Sequence, residues 1–194
     1  KKIGNQWIYV DKLKGITDNI RNITTDQYGD IWLVSDVRGL IRAHFNSESP
    51  ADVEVHYFGK KQGADELKVN RLIFDKEKMY LLTSKGLLQS TMQPWQENVP
   101  EDSDAIVFSP DLIIGKSFQN PPTNVQEMIA DGKGGFIIAA DDGVTALSLD
   151  KEGQTKTSTY AFRGVDSPDG VFYRHPEGGF WLPGKGLFRV DPWS

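Results

Sequence analysis

The sequence contains no cysteine. Disulfides, thiolate catalysis and cysteine-ligated zinc are therefore excluded. Histidine is scarce: His44, His56 and His175 are the only three, and none is spaced from another histidine or a carboxylate as zinc ligands are. No apolar run reaches the roughly 18 residues of a membrane span. The start, KKIGNQWIYV, lacks the long apolar core of a signal peptide, so an exported parent would leave this chain as its mature or trimmed part. Excess positive charge is missing too. Lys and Arg number 22 against 27 Asp and Glu, for a net charge of −5, whereas nucleic-acid binding needs a basic face. Nucleic acid is not expected as a partner. There is no nucleophile elbow, phosphate loop or dinucleotide fingerprint, and GKGGF and GKGLF read as turns. Neither cofactor nor metal is expected.

What is present is a globular composition and a repeat. Hydrophobic residues make up 38% and charged residues 25% of the 194, as in a folded domain with its own core. Four segments align: DQYGDIWLVSDVRGL from Asp26, DKEKMYLLTSKGL from Asp75, DGKGGFIIAADDGV from Asp131 and HPEGGFWLPGKGL from His175. Each opens with a turn and reaches Ile31, Tyr80, Phe136 or Phe180 at the fifth place. Each then closes a polar turn with Gly39, Gly86, Gly143 or Gly186, followed by Leu40, Leu87, Val144 or Leu187. Extended pieces flank the first three segments on both sides. Four strands in a unit of about 40–50 residues is the pattern of a β-propeller blade. A helical repeat would need apolar residues at 3.6 spacing, and a sandwich does not predict a recurring motif.

The expected fold is all-β: four propeller units of about four antiparallel strands, near residues 19–68, 69–123, 124–168 and 169–194, with residues 1–18 as an outer strand. That strand could complete the last blade and close a small ring. Alternatively the chain is a segment of a larger propeller, whose open blade edges would favour a homodimer. The second reading is preferred.

NIRNITTDQYGDIWLVSDVRGLIR (Asn19 to Arg42) and GVFYRHPEGGFWLPGKGLFRVDP (Gly170 to Pro192) resemble the two-component regulator propeller repeat. The likeness extends over nearly the whole chain. KEKMYLL departs by lacking the turn glycine and GGFIIAADDGV by lacking the tryptophan. The resemblance implies the extracytoplasmic sensor region of a bacterial hybrid two-component histidine kinase. It would be periplasmic, the parent membrane-anchored and this chain soluble, with carbohydrate as the ligand class.

Trp32 and Trp181 sit on the second strand of their units. Sugar stacking is conceivable for them, but core is the stronger reading of a repeated strand aromatic. Asp26, Asp75 and Asp131 end first strands alone, without the clustered oxygens of a calcium loop, and are expected to bond turn amides. Asn22 heads a glycosylation-type triplet but lies on an apolar strand. In a four-stranded blade the loop between strands two and three opens on the same face as the loop entering strand one. That face collects Asp36, Val37, Arg38, Lys85, Asp141, Asp142 and Lys185, with Asn19, Asn70, Asn124 and Asp169 from the entering loops. Such a set could hydrogen-bond an oligosaccharide, although solvated turns use the same residues.

The expectation is a non-catalytic ligand-sensing module. The alternatives are a protein-interaction scaffold, or a propeller lyase or hydrolase that would need converging carboxylates. Asp141 and Asp142 are the one adjacent acid pair on that face.

Overall fold

The computed structural model describes residues 2–9, 12–49, 51–64, 68–96, 106–158, 162, 165 and 170–191. Among them, four antiparallel sheets follow one another along the chain as β-propeller blades. β3 (Ile20–Thr25), β4 (Ile31–Ser35), β5 (Gly39–Phe45) and β6 (Val53–Phe58) form the first, in that order. β7 (Val69–Asp75), β8 (Lys78–Thr83), β9 (Gly86–Thr91) and the short β10 (Ser109–Pro110) form the second. The third holds β11 (Val125–Ala130), β12 (Gly135–Ala140), β13 (Gly143–Leu149) and β14 (Thr155–Ser158). The fourth has three strands, β15 (Tyr173–Arg174), β16 (Phe180–Pro183) and β17 (Leu187–Val190). The N-terminal stretch differs from the outer strand expected of it. β1 (Lys2–Ile3) and β2 (Gln6–Trp7) pair with each other as a separate hairpin, and β17 is paired with β16 alone.

Turn chemistry explains where the first strands stop. Asp26 Oδ1 accepts from the amides of Tyr28 (2.9 Å) and Asp30 (3.0 Å), and Asp131 Oδ1 from those of Lys133 (2.6 Å) and Gly135 (2.8 Å). This is how an aspartate closes a tight turn on its own backbone. In the fourth unit His175 takes the same place, its Nδ1 accepting from Glu177 N at 3.2 Å.

The second unit is shorter here. Asp75 pairs directly with Lys78, and Lys76 carries the positive φ (54°) that glycine carries in the others. Phe74 consequently faces Met79, where Thr25 faces Ile31, Ala130 faces Phe136 and Arg174 faces Phe180. Met79, not Tyr80, is thus the counterpart of those residues. A one-residue change in the turn puts Tyr80 on the opposite face of its sheet.

Sheets stack face to face through three apolar clusters. Trp32, Val34 and Leu40 meet Leu72, Met79 and Leu81 between the first and second sheets. Tyr80, Leu82 and Leu87 meet Met128, Phe136 and Ile138 between the second and third. Ile137, Ala139 and Val144 meet Phe172, Phe180 and Leu182 between the third and fourth. β12 is buried along its whole length and β8 beyond Lys78. Burial of one such side chain stabilises by about 1.5–3 kcal/mol, so these two strands anchor the array.

Candidate functional site

The inner strands share an irregularity that the sequence does not announce. The register between first and second strand shifts between Ile20 and Asn22, between Val69 and Arg71, and between Val125 and Glu127. Arg21, Asn70 and Gln126 are therefore extra residues on bulges, and a bulge re-aims the side chain it carries. Arg21 Nη2 donates 2.8 Å to the carbonyl of Val69, and Asn70 Nδ2 donates 2.7 Å to the carbonyl of Val125. Arg21 and Asn70 thus each grip the residue just before the bulge in the next blade. One position further on, Arg71 makes an ion pair with Glu127.

The loops between second and third strands close over the same end. Asp36, Ser84 and Asp141 donate their amides to the carbonyls of Asn19 (3.2 Å), Lys68 (2.9 Å) and Asn124 (3.1 Å). By sequence Asn70 groups with Asn19 and Asn124. The hydrogen bonds instead make Lys68 their counterpart and place Asn70 on a bulge inside β7.

Two polar networks result. In one, Asp36 accepts from Asn19 Nδ2 (2.7 Å) and pairs with Arg21. Asp18 beside it accepts from Ser35 Oγ at 2.6 Å and lies 3.4 Å from Arg38, whose guanidinium sits over the Tyr57 ring at 4.6 Å. In the other, Asn70 Nδ2 also donates to Asn124 Oδ1 (2.7 Å), while Asn124 Nδ2 (2.9 Å) and Gln126 Nε2 (2.8 Å) converge on Asp141 Oδ1. Gln126 was not anticipated, because only the bulge turns it to this end. Lys85, Asp142 and Lys185 are exposed turn residues and join neither network, as does Val37, which is 77% exposed. Asp169 lies outside the described residues.

Glu127 titrates away from its ordinary value. Burial pushes its carboxyl above the usual value of 4.5, and the Arg71 charge with the Met128 amide opposes this incompletely. Tyr80 is also driven upward, first by burial and then by the negative charges of Asp111 and Asp75.

A second polar group, missed in the sequence, lies at the opposite end of the first blade. Arg42 is buried and bonds Asp30 Oδ2 through Nε at 2.7 Å, with Asp26 Oδ2 3.4 Å from its Nη2. His44 Nδ1 donates to Asp30 Oδ1 at 2.6 Å. The Arg42 guanidinium lies 5.1 Å from the Trp32 ring centre and 5.5 Å from that of Trp95, and His44 stacks on Trp95 at 4.9 Å. Trp32 Nε1 donates to Asp26 Oδ2 at 2.9 Å, and the ring is 1% exposed. Trp32 is core. The carboxylate of Asp26 thus closes its turn with one oxygen and holds the core tryptophan with the other. The arrangement satisfies buried charges and leaves no oxygen set for an ion: among the described residues no three His, Asp or Glu side chains could hold a metal.

No family model and no curated protein matches the chain. Among solved structures it is similar to the extracellular domain of a hybrid two-component system of B. thetaiotaomicron, BT3049. The identity is 17% over 90% of this chain and 22% of that one, with a TM-score of 0.56. A second such domain, BT4673, gives 17% over 92% and 21%, also at 0.56. YCF48 from Cyanidioschyzon merolae gives 12% over 91% and 52%, at 0.59. At these identities the likeness is one of fold. The chain spans less than a quarter of either sensor domain.

Proposed function

We propose that this chain is a non-catalytic ligand-sensing propeller module, part of the periplasmic region of a bacterial two-component sensor, and that its ligand is a carbohydrate. The observation that carries the reading is the bulge-built polar end. There Asn70, Asn124, Gln126 and Asp141 form one connected amide–carboxylate network across two blades. Amides and carboxylates presented together suit vicinal hydroxyl groups, which donate and accept at once. The fold shared with two sensor extracellular domains supports the same class of role. A lyase or hydrolase would need a free pair of acids. Asp141 Oδ1 instead accepts from two amide side chains, which favours binding over turnover.

Because the network joins β7 to β11, a ligand that bridges them would favour one spacing of the blades over another. It can shift that equilibrium only by its difference in affinity for the two. The test is thermal melting of the chain against a panel of neutral and acidic oligosaccharides. A ligand at a hundredfold excess over its dissociation constant stabilises the native state by about 2.7 kcal/mol. A selective rise in melting temperature, lost in Gln126→Ala with its unliganded melting unchanged, is expected. A panel without any shift would contradict the carbohydrate reading and favour a scaffold.

A further inference from the structure

The first three blades build the polar end in the same way but with different charges. In the first, Asp36 accepts from Asn19 Nδ2 and is neutralised by the bulge residue Arg21. In the third, Asp141 takes the place of Asp36, since each donates its amide to the carbonyl of the asparagine that enters the inner strand. Asn124 repeats the bond of Asn19, but the bulge residue is Gln126, whose amide carries no charge. The second blade has Ser84 and Asn70 at these two places and so has no carboxylate to neutralise. The turns sharpen the contrast. Arg38, Lys85 and Lys185 stand in the second-to-third-strand turns of the first, second and fourth units, whereas the third turn is Asp141–Asp142 and holds no base. Among the described residues no lysine or arginine pairs with either of these acids. Asp141 is nevertheless held in place. Its amide bonds the Asn124 carbonyl and its Oδ1 accepts from Asn124 and Gln126, which leaves Oδ2 without a protein donor. Asn70 uses both of its N–H groups on Asn124 Oδ1 and the Val125 carbonyl, so its own oxygen is left to accept, as is that of Gln126.

We propose that this end selects a sugar bearing a free amine, and that Asp141 sets the preference by accepting from the ammonium through Oδ2. The proposal rests on the carbohydrate reading of the same end and names the class of sugar. An ammonium has three donors and no acceptor. It therefore suits a carboxylate whose network also offers the Asn70 and Gln126 amide oxygens. It also brings to Asp141 the charge that Arg21 brings to Asp36. A uronate would set a second anion beside one that is already uncompensated, and like charges brought together suppress the wrong ligand.

The test is calorimetric titration of the full chain in mildly acidic buffer, where a sugar amine is charged. The probes are an N-acetylglucosamine trisaccharide with one amine freed, the fully acetylated trisaccharide, a trigalacturonate and ethanolamine. The free amine is expected to bind about two- to fivefold more tightly than the acetylated form, as an exposed ion pair allows. That margin should narrow as salt is raised, and the uronate should bind more weakly than either. Asp141→Asn keeps an oxygen for Asn124 and Gln126 to bond and should bring the amine and acetylated sugars to equal affinity. Gln126→Arg copies the Arg21–Asp36 pair into the third blade and should remove the preference by neutralising Asp141 from within the chain. An acetylated or acidic sugar bound as tightly as the amine, or a preference that survives both substitutions, would overturn the proposal and leave the carbohydrate reading standing. Ethanolamine bound as tightly as the trisaccharide would overturn it too, as cation attraction without a sugar. Binding of no sugar at all would overturn both.

Discussion

Arg42 shows how much of this fold rests on single residues. It is a guanidinium held between two carboxylates and two tryptophan rings, Trp32 of its own blade and Trp95 from the segment after β9 of the second. Replacing it with Met keeps the bulk and leaves Asp26 and Asp30 facing each other unneutralised. Breaking a buried pair from one side costs about 3–5 kcal/mol, so Arg42→Met should lower stability by that order in denaturant titration. An effect near zero would mean that the carboxylates find other partners. Glu127 makes a second case, with a sign that can be worked out. Its folded-state value is raised above 4.5, mainly by burial, so the folded state holds the proton more tightly than the unfolded state does. The stability it contributes is present below 4.5 and is lost as pH rises through the raised value. Glu127→Gln removes this titration. Its melting temperature should therefore gain on the parent as pH increases above 4.5, and parallel curves would contradict the assignment.

At the scale of elements, the connection from the first blade to the second turns on Gly63. Its φ is 73°, and an added Cβ would collide with the carbonyl oxygen of Phe108, whose amide bonds Gln62 O at 2.9 Å. Gly153 has a similar φ of 76° with open space around it. Left-handed backbone alone costs about 1–2 kcal/mol in a residue with a side chain. Gly153→Ala should lose about that much, and Gly63→Ala clearly more, when the two are unfolded side by side.

Strand order within the blades was legible because alternating apolar runs and aspartate turns leave local traces, as in Asp26 to Leu40. The bulges were not, since Arg21, Asn70 and Gln126 read as ordinary alternating residues until pairing reveals the extra one. The Tyr80 position was misjudged for a related reason: only the register exposes a turn shortened by one residue. Nor could the Asp30–Arg42–His44 group be read locally, because its partners come from neighbouring strands 12 and 14 residues apart. A signal was available, however. Arg42 stands between Ile41 and Ala43 in an apolar run, and a charge there calls for a buried partner.

For the whole molecule, a propeller array behaves as a line of nearest-neighbour contacts. Successive sheets are joined by one apolar cluster each, and in the first two blades a bulge side chain, Arg21 or Asn70, also reaches into the following blade. Truncating a central link should therefore loosen both halves at once. Leu81→Ala, fully buried between the first two sheets, should cost about 2–5 kcal/mol and still melt cooperatively in calorimetry. The proposed ligand site lies at the bulges, because a molecule bound across the Asn70–Asn124–Asp141 network would touch two blades and could bias their spacing. The most direct measurement is amide hydrogen exchange across the chain with and without the oligosaccharide that raises its melting temperature. Protection concentrated at residues 19–22, 68–71, 124–127 and 141 would bear out a bulge-built site. Protection centred on Trp181, or spread evenly over the four sheets, would contradict it.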